Sequence, residues 1–241
     1  MKIQQLVKQP LRFAQSKYYQ HQLPNAELGG KAWLIGSELK YGGIQTGVPR
    51  IKVSPHDKRS KVQLQKGGMI GGDRMLHHGY ASMYAKYLKN YLGRDNLLLV
   101  EIGILKGNGL AMWCDLFKSA RIMGFDIDLS HTLNNMDNLK ALGAFKSKQP
   151  ELNEFDQYAD NQAYLASLLD GQKINICIDD GCHTDEAILQ TLHSVLPHLA
   201  DDAVYIIEDN RYAHIKIAEQ FPMFEIAHKG QLTVLTFKKA N

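Results

Sequence analysis

Two short apolar runs, Ile174–Ile178 (Ile-Asn-Ile-Cys-Ile) and Ala203–Ile207 (Ala-Val-Tyr-Ile-Ile), each end in a burst of acids, and this repeated arrangement constrains the chain most. The first run leads into Asp179-Asp180-Gly181-Cys182-His183 and the second into Glu208-Asp209-Asn210. Both runs are rich in β-branched residues and read as buried strands. Between them Ile188, Leu189, Leu192, Val195, Leu196 and Leu199 recur at helical spacing, with Asp185 and Glu186 in the first turn, where the helix dipole favours negative charge. A strand, helix, strand unit has a right-handed crossover and makes its strands parallel. Ligands of such sheets bind beyond the carboxyl ends of the strands. If the two strands are neighbours, ~4.8 Å apart, their acids converge on one point.

The same alternation extends outward from this unit. Leu97–Val100, Arg121–Phe125 and Leu152–Phe155 read as earlier strands, separated by helices through Phe117 and from Leu133 to Leu142, and a helix from Asn161 to Leu169 follows. A short helix near Ile215–Phe221 and two strands, Met223–Ala227 and Leu232–Phe237, joined at Lys229-Gly230, close the chain. The expected fold is a doubly wound, mostly parallel α/β sheet of seven strands, Rossmann-like, whose last strand runs antiparallel. Met75 to Leu92 carries an apolar helical face of Leu76, Tyr80, Tyr84, Tyr87, Leu88 and Tyr91, and reads as a helix packed on this core. Residues 1–70 are polar and glycine-rich in places, with the run Lys58-Arg59-Ser60-Lys61. They are expected to form an arm of loops and a hairpin, either solvated or serving as a lid or subunit contact, ahead of a domain spanning 71–241.

With 241 residues and 44% apolar content, one substantial core is expected. A net charge of +3 with 28 scattered basic residues signals neither nucleic acid nor a membrane surface. No apolar stretch has signal-peptide or membrane-span character, so a cytoplasmic protein is expected. Cys114, Cys177 and Cys182 lack any paired spacing; the first two read as buried thiols.

Glu101-Ile102-Gly103-Ile104-Leu105-Lys106-Gly107-Asn108-Gly109 follows the first strand of the sheet and opens a helix, so a ligand can approach its backbone and its unpaired N–H groups. Asp126, at the end of the next strand, is suited to accept from ribose hydroxyls. Dinucleotide and S-adenosylmethionine enzymes share this half-motif. Three details favour S-adenosylmethionine. Glu101 stands where it can hold the amino group of the methionine part, the glycine spacing departs from Gly-x-Gly-x-x-Gly, and a C-terminal hairpin ends the sheet.

Glu101-x-Gly103-x-x-x-Gly107-x-Gly109 resembles motif I of class I methyltransferases, with Leu105 in place of the middle glycine. Taken with Gly72-Asp73-Arg74, His78-Gly79-Tyr80, Asp126-Ile127-Asp128, Asp156-Gln157, Asp180-Gly181-Cys182-His183 and Ile207-Glu208-Asp209, the pattern is similar to the metal-dependent sugar O-methyltransferases of macrolide biosynthesis, the macrocin and mycinamicin type, which also resemble the cephalosporin hydroxylase family. The likeness covers residues 71–210. It implies that Glu101, Gly103 and Gly107 line the methionine end of S-adenosylmethionine, that Asp126 takes the ribose, and that Asp156 and Gln157 lie near the adenine. The likeness and the long arm also suggest a homo-oligomer.

Asp180, Glu208 and Asp209 supply three hard oxygen ligands, which favour Mg²⁺, with Mn²⁺ or Ca²⁺ as alternatives. His183, three residues after Asp180, is the expected general base, since an imidazole can take a proton at cellular pH. Asp179 points away from Asp180 by strand alternation and reads as structural. The expected activity is O-methylation of a vicinal diol on a small-molecule or saccharide acceptor, most simply a sugar. A catechol-like phenol, a nicotinamide oxidoreductase and a non-catalytic protein of the same fold are the alternatives.

Overall fold

The computed structural model describes residues 2–43, 45–53, 57–65 and 68–239. Its centre is a seven-stranded sheet built from β3 (Leu98–Ile102), β4 (Arg121–Asp126), β5 (Glu151–Glu154), β6 (Ile174–Asp179), β7 (Leu199–Ile207), β8 (Phe224–Lys229) and β9 (Leu232–Phe237). The strand order is β5-β4-β3-β6-β7-β9-β8. β3, β4, β5, β6 and β7 are mutually parallel, and β9 runs antiparallel to both of its neighbours. This is the doubly wound sheet expected, with the antiparallel strand where the terminal hairpin implied it. Its order reverses between β3 and β6, the crevice where such sheets bind ligands.

The central strands β3, β4, β6 and β7 are largely apolar because both of their faces are covered, whereas the outer strands β5 and β8 are more polar. Along β3, Leu97 and Leu99 join one core while Leu98, Val100 and Ile102 join the other. The first core lies under α2 (Lys31–Tyr41), α4 (Ala81–Leu88), α5 (Asn108–Leu116) and α7 (Met136–Ala141), and the second under α8 (Gln162–Leu169), α9 (Asp185–Val195) and α10 (Ala213–Gln220). This period of two also decides which way each acid beyond a strand will face.

Ahead of the sheet, α1 (Lys2–Gln22) packs on α2, and β1 (Gln45–Val48) pairs antiparallel with β2 (Gly68–Ile70), with α3 (Lys61–Gln65) between them. Within the segment expected to be an arm, α2 packs against α4 and α5 and buries Leu34, Ile35 and Tyr41 in the first core. The expected helix from Met75 is shorter than its apolar face suggested. Residues up to Gly79, at φ 77°, form turns, and α4 begins at Ala81. The stretch from Leu133 to Leu142 divides into α6 (Ser130–Leu133) and α7. Cys114, Cys177 and Cys182 are free thiols, the first two buried. No helix among the described residues is long and apolar enough to cross a membrane.

Candidate active site

The carboxyl ends of β3, β4, β5, β6 and β7 open on a cavity of about 600 Å³. Gly103, Asp126, Asp156, Gln157, Asp180, His183 and Asp209, all singled out from sequence, line it. Arg50, Ile51 and Val53, from the segment after β1, line it as well.

Parallel pairing brings the acid loops together. β3 pairs with β6 and β6 with β7, with Ile102 opposite Asp179 and Asp179 opposite Ile207. Asp180 N–H donates to Ile102 O at 2.8 Å and Glu208 N–H to Asp179 O at 2.9 Å, so the ladder continues one step into each acid run. Gly103, at φ 85°, lies against Asp180 so closely that a Cβ there would stand 2.2 Å from the Asp180 carbonyl oxygen. Only glycine fits both the backbone angle and the approach. Asp180, His183 and Asp209 each offer a ligand atom within 4.8 Å of the others. Asp209 has φ 57°, a left-handed conformation that aspartate tolerates better than most residues, and it turns this carboxylate toward Asp180 instead of continuing the alternation.

Alternation explains why the remaining acids face elsewhere. Glu101, Asp180 and Glu208 have the strand parity of Leu99, Ile178 and Ile206, which belong to the core under α4 and α5. There they meet Arg74. Its Nη1 donates to Glu101 Oε1 at 2.6 Å, its Nη2 to Asp180 Oδ2 at 2.7 Å, and its Nε lies 3.3 Å from Glu208 Oε1. Tyr84 Oη also donates to Glu208 Oε1, and Tyr80 Oη donates to Asp209 Oδ1 at 2.5 Å. Glu101, expected to face the methionine end, is buried on Arg74 and does not line the cavity. Glu208, expected beside Asp180 and Asp209 as a ligand, is likewise turned inward to Arg74 and Tyr84.

Burial opposes the Arg74 charge, but Glu208, Glu101 and Asp180 outweigh it and hold its pKa above the usual value. Burial pushes the Glu101, Asp180 and Glu208 carboxyls up, and Arg74 works against that rise in all three. His78 Nε2 stands 3.4 Å from Asp73 Oδ2 and 3.7 Å from Asp209 Oδ2, and the Asp73 contact raises its pKa against the effect of burial.

Asp126 holds the glycine-rich turn as well as lining the cavity. Its Oδ2 accepts from Leu105 N–H at 2.9 Å and its Oδ1 from Asp128 N–H at 3.2 Å, while burial raises its pKa. Leu105, which replaces the middle glycine of the motif, adopts φ 40°, the left-handed conformation glycine takes freely. Gly107, at φ 73°, caps α5 beside Thr132 and does not line the cavity. Asp156 is exposed and accepts from Tyr158 N–H at 3.0 Å.

Gln157, expected near an adenine, spends its amide on the protein. Its Nε2 donates to Asp179 Oδ1 at 2.8 Å and Thr191 Oγ1 at 2.9 Å, and its Oε1 accepts from Cys182 N–H at 2.5 Å. It ties the loop after β5 to the loop after β6, and Gly181 has no Cβ because one would fall 2.1 Å from Gln157 Oε1. Asp179 faces the second core, receiving Gln157 and Tyr205 Oη, in keeping with a structural role.

His183 is exposed, just ahead of α9. Thr184 caps that helix through Ala187 N–H at 3.2 Å, and Asn210 Nδ2 donates to His183 O at 2.9 Å and Asp185 Oδ1 at 2.9 Å. Asn210 therefore fixes the loop after β7, which carries Asp209, to the loop that carries His183.

Gly72-Asp73-Arg74 and His78-Gly79-Tyr80 stand out in the sequence, but nothing there ties them to the acids. Glu38 of α2, unmarked by any sequence motif, accepts from Met75 N–H at 2.8 Å and Leu76 N–H at 3.1 Å and so holds the turn bearing Arg74. The available signal was the shared parity of three acids on adjacent strands, which requires a cation from another segment.

Residues 100–210 match the family described as a methyltransferase domain. The chain is 27% identical over 149 residues, 58% of its length, to 8-demethyl-8-alpha-L-rhamnosyl tetracenomycin-C 2'-O-methyltransferase of Streptomyces olivaceus, of which it covers 35%. It is 25% identical over 140 residues, 55% of its length, to mycinamicin VI 2''-O-methyltransferase of Micromonospora griseorubida, of which it covers 31%. The chain thus spans about a third of the length of these curated relatives. Its fold is similar to that of a mycinamycin-pathway methyltransferase solved with Mg, SAH and mycinamycin VI, with a TM-score of 0.52 at 18% identity over 66% of this chain and 49% of that one.

Proposed function

We propose that this chain, whose residues 100–210 match a methyltransferase domain, is a class I S-adenosylmethionine- and Mg²⁺-dependent O-methyltransferase acting on a hydroxyl of a vicinal diol, on a sugar of a glycoside or polysaccharide. The observation that carries the reading is the convergence of Asp180, Asp209 and His183 on the wall of a cavity shared with the glycine turn at Gly103 and with Asp126. The antiparallel β9 between β7 and β8 fits this reading better than the nicotinamide alternative.

The donor set fits a hard cation. Asp180 gives Oδ2 to Arg74, and one ligand atom each from Asp180, Asp209 and His183 lies within 4.8 Å of the others. Glu208, one residue before Asp209, stands behind them as a further carboxylate. When bound, Mg²⁺ would lower the pKa of the attacking hydroxyl, and the methyl donor would present its methyl group as the electrophile. His183 takes the hydroxyl proton. Asp126 orients the donor through its ribose, the Gly103 turn lets the donor approach the backbone, and Asp156 borders the base. The remaining contribution of the chain is to align the two reactants.

The sugar acceptor is supported by the two curated relatives, both named as O-methyltransferases and one of them for a rhamnosyl compound. The test is methyl transfer from labelled S-adenosylmethionine to a panel of glycosides and catechols, with EDTA and with Mg²⁺ restored. Transfer to glycosides that EDTA abolishes and Mg²⁺ recovers is the expected result. Transfer indifferent to chelator would remove the metal role, preference for catechols would overturn the sugar acceptor, and tight NAD binding with no response to S-adenosylhomocysteine would overturn the whole reading.

A further inference from the structure

Four carboxylates, Glu101, Asp180, Glu208 and Asp209, gather at one edge of the sheet, and Glu101 and Glu208 are each only 1% exposed. Buried carboxylates so arranged need positive charge. Arg74, itself 8% exposed, supplies it through a planar fork whose three nitrogens reach three different acids, while the guanidinium lies 5.7 Å from the centre of the Trp113 ring. Arg74 lies outside residues 100–210, on a turn fastened from the far side by Glu38 of α2.

We propose that Arg74 is a resident counter-cation. As a positioning residue, it shares its charge between the inward acids Glu101 and Glu208, fixes one oxygen of Asp180, and so leaves the other Asp180 oxygen, beside the Asp209 carboxylate that Tyr80 holds through Oδ1, for an incoming divalent ion. The inference rests on the metal reading above and extends it. Arg74 offsets part of the acid charge before any ion arrives, so the fold does not wait for the ion to supply its first counter-charge, and the network that holds the site together includes a segment ahead of the matched domain. Lysine cannot replace this fork, since a single ammonium cannot span three carboxylates with the same geometry.

The test is thermal unfolding of the full chain in EDTA and in Mg²⁺ for wild type, Arg74→Lys and Arg74→Met. The wild-type midpoint should rise by only the few degrees that ion binding to an already formed site confers. Arg74→Met should melt roughly 10 °C lower in EDTA, as expected for a buried acid cluster deprived of its partner, and should regain much more than wild type on adding Mg²⁺. Arg74→Lys should fall between them. Wild-type-like melting of Arg74→Met in EDTA, or a Mg²⁺ response no larger than that of wild type, would overturn the proposal. Should Arg74→Met fail to fold in either condition, Arg74→Lys decides: a Mg²⁺ response above wild type supports the role, and one equal to wild type overturns it. A Mn²⁺ titration of the wild type by electron paramagnetic resonance separates the two levels. Absence of bound Mn²⁺ would defeat the functional reading, whereas the melting of the variants in EDTA judges Arg74 independently.

Discussion

Gly103 and Asp180 touch backbone to backbone, so the glycine turn after β3 and the acid loop after β6 form one structural unit. An alanine at Gly103 would have to keep φ 85° and displace the Asp180 carbonyl, which a Cβ would approach to 2.2 Å. Gly103→Ala is expected to cost roughly 2–4 kcal/mol from left-handed strain and overpacking together. It should also weaken Mn²⁺ binding, because the Asp180 carboxylate moves with its backbone. Denaturant unfolding and a Mn²⁺ titration check this; unchanged values for both would mean that the two loops are not coupled.

Loss of His183 should be felt in turnover alone. It is exposed and its backbone carbonyl is held by Asn210, so His183→Ala should leave stability and S-adenosylhomocysteine affinity close to wild type. Turnover should fall by roughly 10²-fold or more, the usual contribution of a general base. Near-normal turnover would move the proton transfer to another group, and His78, beside Asp209, would then be the next histidine to vary.

Strand alternation made the sheet and the position of the acids legible, since β6 and β7 are short apolar runs whose ends had to meet if the strands paired. Of the three acids that reading joined, Asp180 and Asp209 lie together with His183, whereas Glu208 turns to Arg74 and Tyr84. Glu101, Glu208 and Gln157 were recognised as important residues, but their partners were hidden because each is satisfied by a group distant in sequence: Arg74 for Glu101, Arg74 and Tyr84 for Glu208, and Asp179 with Thr191 for Gln157. The core role of α2 was obscured for a related reason. Its buried face includes Ser37 and Glu38 beside Leu34 and Ile35, so the polar residues broke the apolar stripe that marks a packed helix.

Asp126 has two duties, and its variants should separate them. Its carboxylate accepts the Leu105 N–H that holds the turn and also lines the cavity where a ribose is proposed. Asp126→Asn can keep the bond to Leu105 through its amide oxygen, but it loses the charge and one acceptor, so S-adenosylhomocysteine affinity should fall about tenfold with little change in stability. Asp126→Ala loses both, and should lower affinity further and stability by about 1–2 kcal/mol. Calorimetric titration and denaturant unfolding report the two effects. Equal affinity in wild type and Asp126→Asn would assign the ribose to another group.

Glu38 supplies a pH signature from outside the main cavity. Burial raises its pKa to about 7 from an ordinary 4.5, against the N–H groups of Met75 and Leu76 and the charge of Arg74. The folded state therefore keeps the proton up to about pH 7, while the unfolded chain releases it near 4.5. Between these values the folded state binds more protons, so raising the pH withdraws stability. The loss begins near the unfolded pKa, is complete above the folded one, and amounts to roughly 3 kcal/mol for a group this deeply buried. Glu38→Gln cannot titrate. Its midpoint in urea should be lower than that of wild type at pH 4.5, because one oxygen acceptor of the two backbone N–H groups is lost. The difference should shrink as the pH rises toward 7.5. A wild-type advantage that stays constant across this range would mean that Glu38 is ionised throughout, held charged by Arg74 on the turn it supports.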